Sequence, residues 1–258
     1  MFASPGAVAL QFGTFAIRWY GLIIAAAVML GTALAQREAL RRGQDPEPIL
    51  TAIFLAVLSG LVGARLYYVA FTWEYYGAHP GKILAIWEGG LAIHGGLLTG
   101  LLAIVLYCRH MHLSLLVTTD LLAPGVAMAQ AVGRWGNFFN QEAFGMPTAL
   151  PWKLYIDPYH RPVAWKDFEY FHPTFLYESL WNLVVFAILW FGLRKRFERW
   201  PGALTLCYLG LYSMGRFFIE RLRIDSLMLG PVRAAQLLSL FLVVGSGLGL
   251  AAVLRRKP

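Results

Sequence analysis

Long apolar stretches separated by short polar segments dominate this chain. About seven of them are close to the ~20 residues that a membrane-spanning helix needs. The pattern predicts an all-α polytopic membrane protein with about seven transmembrane helices, in which residues 1–258 form a single integral membrane domain. The predicted spans are residues 16–35, 49–71, 91–108, 113–132, 175–193, 203–219 and 234–254.

Composition supports the same class of protein. Hydrophobic residues make up 58% of the chain and charged residues 14%, whereas a soluble domain is roughly 45–50% apolar. Arginine and lysine follow the first, third, fifth and seventh predicted spans, and such residues stay on the cytoplasmic side of short loops. We therefore expect the N-terminus outside and the C-terminus cytoplasmic. The basic residues that follow these four spans are Arg37, Arg41, Arg42, Arg109, Arg194, Lys195, Arg196, Arg199, Arg255, Arg256 and Lys257.

The net charge of +8 is accounted for by this topology and by attraction to anionic lipid headgroups. No nucleic-acid partner is expected. The histidines lack the spacing of a metal site, so no metal and no other cofactor is expected either.

The longest predicted segment outside the membrane, residues 133–173, is expected to form a small external head. It opens with the run GRWGNFFNQEAFG, from Gly133 to Gly145, which places an arginine, two asparagines and a glutamate directly behind an apolar segment. A guanidinium binds two oxygens of a phosphodiester, while glycines let backbone N–H groups approach it. The run predicts a binding site for a lipid headgroup.

Other unusual polar residues are predicted at the same outer face of the membrane. Buried arginines there need a carboxylate or a bound phosphate as counter-charge, and Tyr212, Arg216, Glu220 and Arg223 are spaced to lie along one helical stripe, with an Arg216–Glu220 pair. The arginines that need a partner are Arg65, Arg134, Arg216 and Arg223, and the candidate counter-ions are Glu142, Glu178 and Glu220.

The sequence leaves the role of His94 open and favours a structural role for Asp120. His94 lies between an isoleucine and two glycines, where a packed histidine and a base exposed to a cleft are equally compatible with the sequence. Asp120 lies inside the fourth predicted span, away from the outer face, and is expected to be a structural hydrogen-bonding group.

The run from Gly133 to Gly145 resembles the signature G-R-x-G-N-F-x-N-x-E-x-x-G of bacterial prolipoprotein diacylglyceryl transferases, with no departure at the specified positions. Four more pieces resemble the same family in the same order. They are Arg18-Trp19-Tyr20-Gly21, His94-Gly95-Gly96, His172-Pro173 with Tyr177-Glu178, and Tyr212 to Glu220 with Arg223.

The resemblance implies transfer of the diacylglyceryl group of phosphatidylglycerol to the lipobox cysteine of a prolipoprotein, in the bacterial cytoplasmic (inner) membrane, with the active site facing the periplasmic side. It implies catalytic roles for Tyr20, His94, Arg134, Tyr212, Arg216 and Glu220, and substrate binding by Arg134, Asn137, Asn140, Glu142, Gly145 and Arg216. In this interpretation the two arginines hold the phosphate and His94 is the leading candidate for the base.

The alternative function is a transporter or flippase of an anionic amphiphile. A carrier is expected to have polar residues near the membrane midplane and on both sides, whereas here they gather on one side. The partners expected for the transferase are phosphatidylglycerol, the lipobox cysteine and the lipid bilayer.

Overall fold

The computed structural model describes residues 2–13 and 15–256, and within them the chain is mainly helical. The α-helices are α1 (Trp19–Arg41), α2 (Glu47–Phe71), α3 (Trp73–Ala78), α4 (Ile93–His110), α5 (Leu115–Asn140), α6 (Thr174–Ala187), α7 (Ala203–Ile219) and α8 (Ala234–Arg255). A π-helical segment, Ile188–Leu193, continues α6.

Six helices in the described part of the chain are long and apolar enough to cross a membrane: α1, α2, α4, α5, α6 with its π-helical continuation, and α8. The prediction of an all-α polytopic membrane protein is confirmed. Helix α7 has 17 residues, which gives a length of about 25 Å against a hydrocarbon core of about 30 Å. A seventh span at α7 therefore stays a prediction.

The fourth predicted span, residues 113–132, ends before the helix that forms there. Helix α5 continues to Asn140, so the first eight residues of the signature run are helical rather than part of an external loop. The two glycines in this stretch do not end the helix, and Gly136 serves helix packing. A Cβ atom at Gly136 would lie 2.7 Å from the ring of Tyr20 in α1.

Short strands occupy the segments outside the helices. β1 (Phe2–Ala3) pairs in parallel with β4 (Leu154–Tyr155), which pairs antiparallel with β5 (Tyr170–Phe171). Two hairpins flank the helices, one of β2 (Val8–Phe12) with β3 (Phe15–Arg18) and one of β6 (Met228–Leu229) with β7 (Val232–Arg233). The region between α5 and α6 is therefore a small folded element built on β4 and β5.

The chain forms two compact units, and the first comprises Met1–Leu34 and Thr119–Pro258. One buried apolar cluster in this unit joins α5, α6 and α7; its members are Ala127, Val185, Phe186, Leu189, Trp190 and Leu204. A second fixes the β4–β5 region to the end of α5 and the start of α6, and contains Phe138, Phe144, Leu154, Ile156, Phe171 and Phe175.

Asp120 holds the start of α7. Its buried carboxylate accepts hydrogen bonds of 2.7 Å from the backbone N–H of Gly202, from the backbone N–H of Thr205 and from the Thr205 hydroxyl. These groups belong to the first turn of α7, whose N–H donors have no partner within the helix. The expected structural role of Asp120 is confirmed.

The second unit, Ala35–Thr118, is built on the close packing of α2 against α4. A Cβ atom at Gly95 would overlap the carbonyl oxygen of Gly63, and one at Gly63 would overlap the side chain of Thr99. Neither position has room for a side chain, so the glycines set how closely the two helices approach.

Candidate active site

A buried carboxylate, Glu178, lies at the centre of an arginine cluster in the first unit. Its side chain is 4% exposed, and the first turns of α6 place it against three guanidinium groups. Arg134 Nε lies 2.6 Å from Oε2, and Arg216 Nη1 and Arg223 Nη1 lie 2.5 and 3.2 Å from Oε1. Arginines that are far apart in sequence thus share one counter-ion.

A second buried carboxylate, Glu220, is another counter-ion of Arg216. Arg216 Nη2 lies 2.5 Å from Glu220 Oε2, so the predicted pair between these residues is confirmed. Arg223 also binds Asp225 through two hydrogen bonds of 2.9 and 2.6 Å. Arg233 donates to the backbone carbonyl oxygens of Glu220 and Arg223, which fixes the chain after α7.

The prediction that one helical stripe runs from Tyr212 to Arg223 is wrong for its last residue, Arg223. Helix α7 stops at Ile219, one 3-10 turn covers Glu220–Leu222, and Arg223 is extended with φ −76° and ψ 146°. The backbone of Arg223 instead forms an isolated β-bridge with Gly145. This turn, rather than a continuous helix, brings the guanidinium of Arg223 to Glu178.

Arg134 has unused hydrogen-bonding capacity. Its side chain is 23% exposed, and its contact with Glu178 is an ion pair through Nε that lacks hydrogen-bond geometry. Among the residues that the structure describes, its two terminal nitrogens have no hydrogen-bond partner. Two parallel N–H donors of this kind suit the bidentate binding of a phosphate.

The asparagines of the signature run converge on Glu142. Asn137 Nδ2 and Asn140 Nδ2 donate to Glu142 Oε1 over 3.0 and 3.3 Å, and the backbone N–H of Glu142 donates to the carbonyl oxygen of Asn137. The chain turns sharply here, since Gln141 and Ala143 have positive φ angles of 52° and 55°. The turn fixes Glu142 beside the last residues of α5.

Two other predicted residues lie close to this run. Tyr20, on α1, packs against Gly136, where no side chain fits between them. Gly145 donates its backbone N–H to the carbonyl oxygen of His172, and a Cβ atom there would lie 2.7 Å from the carbonyl oxygen of Leu222. Gly145 therefore allows a close approach of backbone segments at the edge of the cluster.

Tyr212 lies one turn before Arg216 on α7. Its ring stacks on that of Tyr208, with the centroids 5.9 Å apart. Together with Glu178 and Arg216 it lines a small cavity. The first unit thus brings together Tyr20, Arg134, Asn137, Asn140, Glu142, Gly145, Tyr212, Arg216 and Glu220.

His94 belongs to the second unit and is described there. It is the second residue of α4, its side chain is exposed, and its ring centroid lies 6.2 Å from that of Tyr67. The backbone N–H of Ala92 donates to the carbonyl oxygen of Ala64, which joins the start of α4 to α2.

Arg65 has a partner that the sequence did not suggest. Its buried guanidinium donates to five backbone carbonyl oxygens in the segment before α4, not to a carboxylate or a phosphate. The acceptors are Lys82, Ile83, Ala85, Gly89 and Gly90, at 2.6 to 3.2 Å. The expectation of an anionic partner for Arg65 was wrong because carbonyl oxygens can satisfy a buried guanidinium when a loop wraps around it.

Two groups outside the membrane-spanning helices have shifted pKa values. Burial lowers the pKa of His172, whose Nδ1 lies 3.2 Å from the hydroxyl of Tyr177. Burial also acts to lower the pKa of Arg223, but the hydrogen bond to Asp225 and the charges of Glu178, Asp225 and Glu220 outweigh it and raise that pKa. Arg223 therefore stays charged in its buried position.

The described residues contain no group of three or more His, Cys, Asp or Glu side chains that could hold a metal ion. The chemistry that the cluster offers is that of guanidinium donors held by carboxylates. Such an arrangement can bind an anionic oxygen group and stabilise negative charge that develops on it.

Comparison with known proteins gives consistent matches over nearly the whole chain. The sequence model of the family described as prolipoprotein diacylglyceryl transferase matches residues 7–252. The chain is 51% identical to a phosphatidylglycerol–prolipoprotein diacylglyceryl transferase of Synechococcus elongatus over 253 residues, which cover 96% of this chain and 88% of the relative.

Further relatives carry the same name. The protein from Gloeobacter violaceus is 50% identical over 257 residues, covering 99% of this chain and 96% of the relative. The protein from Synechocystis is 51% identical over 247 residues, covering 94% and 87%. Because the family's sequence model matches residues 7–252 of this chain and the relatives are about 50% identical to it, the chain belongs to the prolipoprotein diacylglyceryl transferase family.

Proposed function

We propose that this protein transfers the diacylglyceryl group of phosphatidylglycerol to the thiol of the lipobox cysteine of a prolipoprotein, the first step of bacterial lipoprotein maturation. The sulfur attacks the glyceryl carbon that carries the phosphodiester. A C–S bond forms, the C–O bond to phosphate breaks, and glycerol 1-phosphate leaves with the electron pair. The family match over residues 7–252 is the observation that carries this proposal.

Arg134 is the main phosphate ligand in this reaction. Its terminal nitrogens have no hydrogen-bond partner among the described residues, while Nε forms an ion pair with Glu178. Arg216 is held at both terminal nitrogens by Glu178 and Glu220 and supports the same phosphate with its remaining N–H donors. Fixed donors aimed at a leaving phosphate stabilise the charge that grows on it in the transition state.

The other predicted residues have supporting roles. Asn137, Asn140, Glu142 and Gly145 shape the headgroup pocket, which agrees with the hydrogen bonds that converge on Glu142. Tyr20 and Tyr212 orient the headgroup, and Glu220 holds Arg216.

His94 is the proposed base for the thiol proton. A cysteine thiol has an ordinary pKa of about 8.5, and only the thiolate is an effective nucleophile. The exposed position of His94 in the first turn of α4 is compatible with contact to an incoming thiol.

The acyl chains of the lipid are proposed to enter sideways from the bilayer. An apolar cavity of about 150 Å³ lies beside Trp135, the residue after Arg134. Its other lining residues come from α1, α5 and α6, and they are Ile23, Ala131, Val132, Ser179 and Leu183. This surface can hold part of an acyl chain while the phosphate reaches Arg134.

The protein is proposed to lie in the bacterial cytoplasmic membrane, with seven spans, the N-terminus outside and the arginine cluster at the outer leaflet. The positions of the basic residues after alternate spans support this topology. A lipobox cysteine would then reach the site from the outer face.

The test is mass spectrometry of a lipobox peptide after incubation with the purified protein and phosphatidylglycerol. We expect a thioether-linked diacylglyceryl adduct, and a loss of rate of about 10²–10³-fold in Arg134→Ala, the cost typical of removing one donor to developing charge. His94→Ala is expected to be slowed as well. Arg109→Ala, in the last turn of α4, is the matched control and should retain the rate.

The outcomes separate the two candidate functions. An adduct formed at full rate by Arg134→Ala would remove this residue from the mechanism. No adduct, with phosphatidylglycerol still bound and moved between leaflets of a vesicle, would favour the transporter instead.

A further inference from the structure

A buried amide on α6 lacks a hydrogen-bond partner. Asn182 lies one helical turn after Glu178, and the residue is 1% exposed. Its Oδ1 accepts no hydrogen bond from the residues that the structure describes. A buried polar atom left in this way is rare and costly, which points to a bound group that the protein chain does not supply.

The same amide lines a very small cavity. Its lining residues are Glu178, Trp181, Asn182, Tyr212, Arg216 and Ile219. The volume open to the centre of a water molecule is about 10 Å³, which is room for about one water or one hydroxyl group. The cavity is too small for a phosphate, so it is distinct from the phosphate site at Arg134.

Most polar groups around the cavity already have partners. Trp181 donates its indole N–H to the carbonyl oxygen of Leu211 over 2.9 Å, and Arg216 is paired with Glu178 and Glu220. Within the described residues, three groups around the cavity lack a hydrogen-bond partner: the amide oxygen of Asn182, the hydroxyl of Tyr212, and Glu178 Oε2, which forms an ion pair with Arg134 Nε. The missing occupant must therefore donate a hydrogen bond to Asn182 and can accept one from Tyr212.

We propose that this cavity binds one hydroxyl-sized oxygen that donates to Asn182 Oδ1. Its source is either an ordered water or a hydroxyl of the glycerol headgroup of the lipid, and the second source rests on the proposed function. Because the cavity adjoins Arg216, a headgroup hydroxyl there would let the enzyme distinguish glycerol phosphodiesters from those without a hydroxyl. A site built to hydrogen-bond a hydroxyl rejects an analogue that lacks it.

The test compares phosphatidylglycerol with phosphatidylpropanol, whose headgroup has no hydroxyl, in the unmodified protein and in Asn182→Leu. Leucine keeps the size of the side chain but removes the acceptor. If the headgroup supplies the oxygen, the unmodified protein prefers phosphatidylglycerol by tenfold or more, and Asn182→Leu lowers its rate to that with phosphatidylpropanol. If water supplies it, the substitution lowers kcat with both lipids by the same factor.

Thr205→Val is the control in the same unit. The hydroxyl of Thr205 donates to Asp120 Oδ1 over 2.7 Å, and Thr205 lines neither the acyl-chain cavity nor the cavity at Asn182, so loss of the hydroxyl should lower the melting temperature without changing the preference between lipids. Asn182→Leu with unchanged rates on both lipids and a raised melting temperature would overturn the proposal, because the amide would then be a packing defect.

If Asn182→Leu does not fold, an experimental density map that resolves water molecules tests the proposed oxygen site instead. An oxygen within hydrogen-bond distance of Asn182 Oδ1, in the lipid-free or lipid-bound protein, supports the proposal, and an empty cavity in both overturns it. This readout does not depend on activity. Failure of the proposed function is recognised separately, since no variant would then form the adduct.

Discussion

At the scale of single residues, one carboxylate organises the candidate site. Glu178 contacts Arg134, Arg216 and Arg223, which would otherwise repel one another in a buried setting. Glu178 lies against Nε of Arg134, and the terminal nitrogens of this arginine have no hydrogen-bond partner among the described residues. We therefore propose that Glu178 positions the arginines that are the proposed phosphate ligands.

Replacing Glu178 tests this role. Glu178→Gln removes the negative charge of the buried carboxylate that three guanidinium groups share, and breaking a buried pair typically costs about 3–5 kcal/mol. We expect a marked fall in melting temperature and in transfer rate, measured on the detergent-solubilised protein and with the lipobox peptide.

Asp225→Asn is the matched control. Asp225 pairs with Arg223, but its side chain is 49% exposed, and exposed pairs are worth only about 0–1 kcal/mol. Equal losses of stability in the two variants would contradict the central role of Glu178.

At the scale of elements, helix α5 connects the membrane span to the signature run. Its two glycines in that run differ in their surroundings. A Cβ atom at Gly133 would have room, since its nearest neighbour, Ile24 Cδ1, would lie 3.5 Å away, whereas one at Gly136 would lie 2.7 Å from the ring of Tyr20. Only Gly136 is needed for the approach of α1.

Alanine substitutions at these two glycines can be compared directly. Gly133→Ala should be neutral or stabilise the protein, because alanine is favoured over glycine in a helix interior by about 0.8–1.0 kcal/mol. Gly136→Ala has the same helical advantage but displaces Tyr20, and we expect a loss of transfer rate. Melting temperature and rate are measured for both, and equal rates in the two variants would show that Tyr20 need not pack on α5.

The segment before α4 leads to His94, the proposed base. Arg65 holds it by five hydrogen bonds to backbone oxygens. Gly90, with φ +74°, gives the guanidinium room, because a Cβ atom there would lie 2.6 Å from Arg65 Nη1. This packing fixes the backbone just ahead of His94.

Arg65→Lys keeps the charge but loses the planar fork of donors. We expect faster proteolysis in residues 79–92 and a fall in transfer rate of up to about 10²-fold, since small misplacements can cost that much. Arg109→Lys, on an exposed residue of the same unit, is the control. Unchanged proteolysis and rate in Arg65→Lys would show that the loop is held by other contacts.

At the scale of the whole molecule, each unit places its polar residues by a different kind of packing. In the first unit, large apolar side chains join α5, α6 and α7, and Asp120 fixes the start of α7. In the second unit, glycines allow α2 and α4 to pack closely. Rigid helices of this kind are suitable supports for a catalytic site.

The sequence by itself determined the class of the protein, the approximate positions of its helices and its family. Apolar stretches of about 20 residues have few alternatives to membrane helices, and the signature run is continuous in sequence. The Arg216–Glu220 pair was also predictable, because residues four apart on a helix are neighbours.

Only the tertiary structure decided which groups meet. Gly136 of α5 packs against Tyr20 of α1, and the approach of Arg223 to Glu178 depends on the turn after α7. The partners of Arg65 are backbone oxygens, which every residue carries and which no sequence pattern distinguishes. These contacts join residues distant in the chain, so local spacing could not specify them.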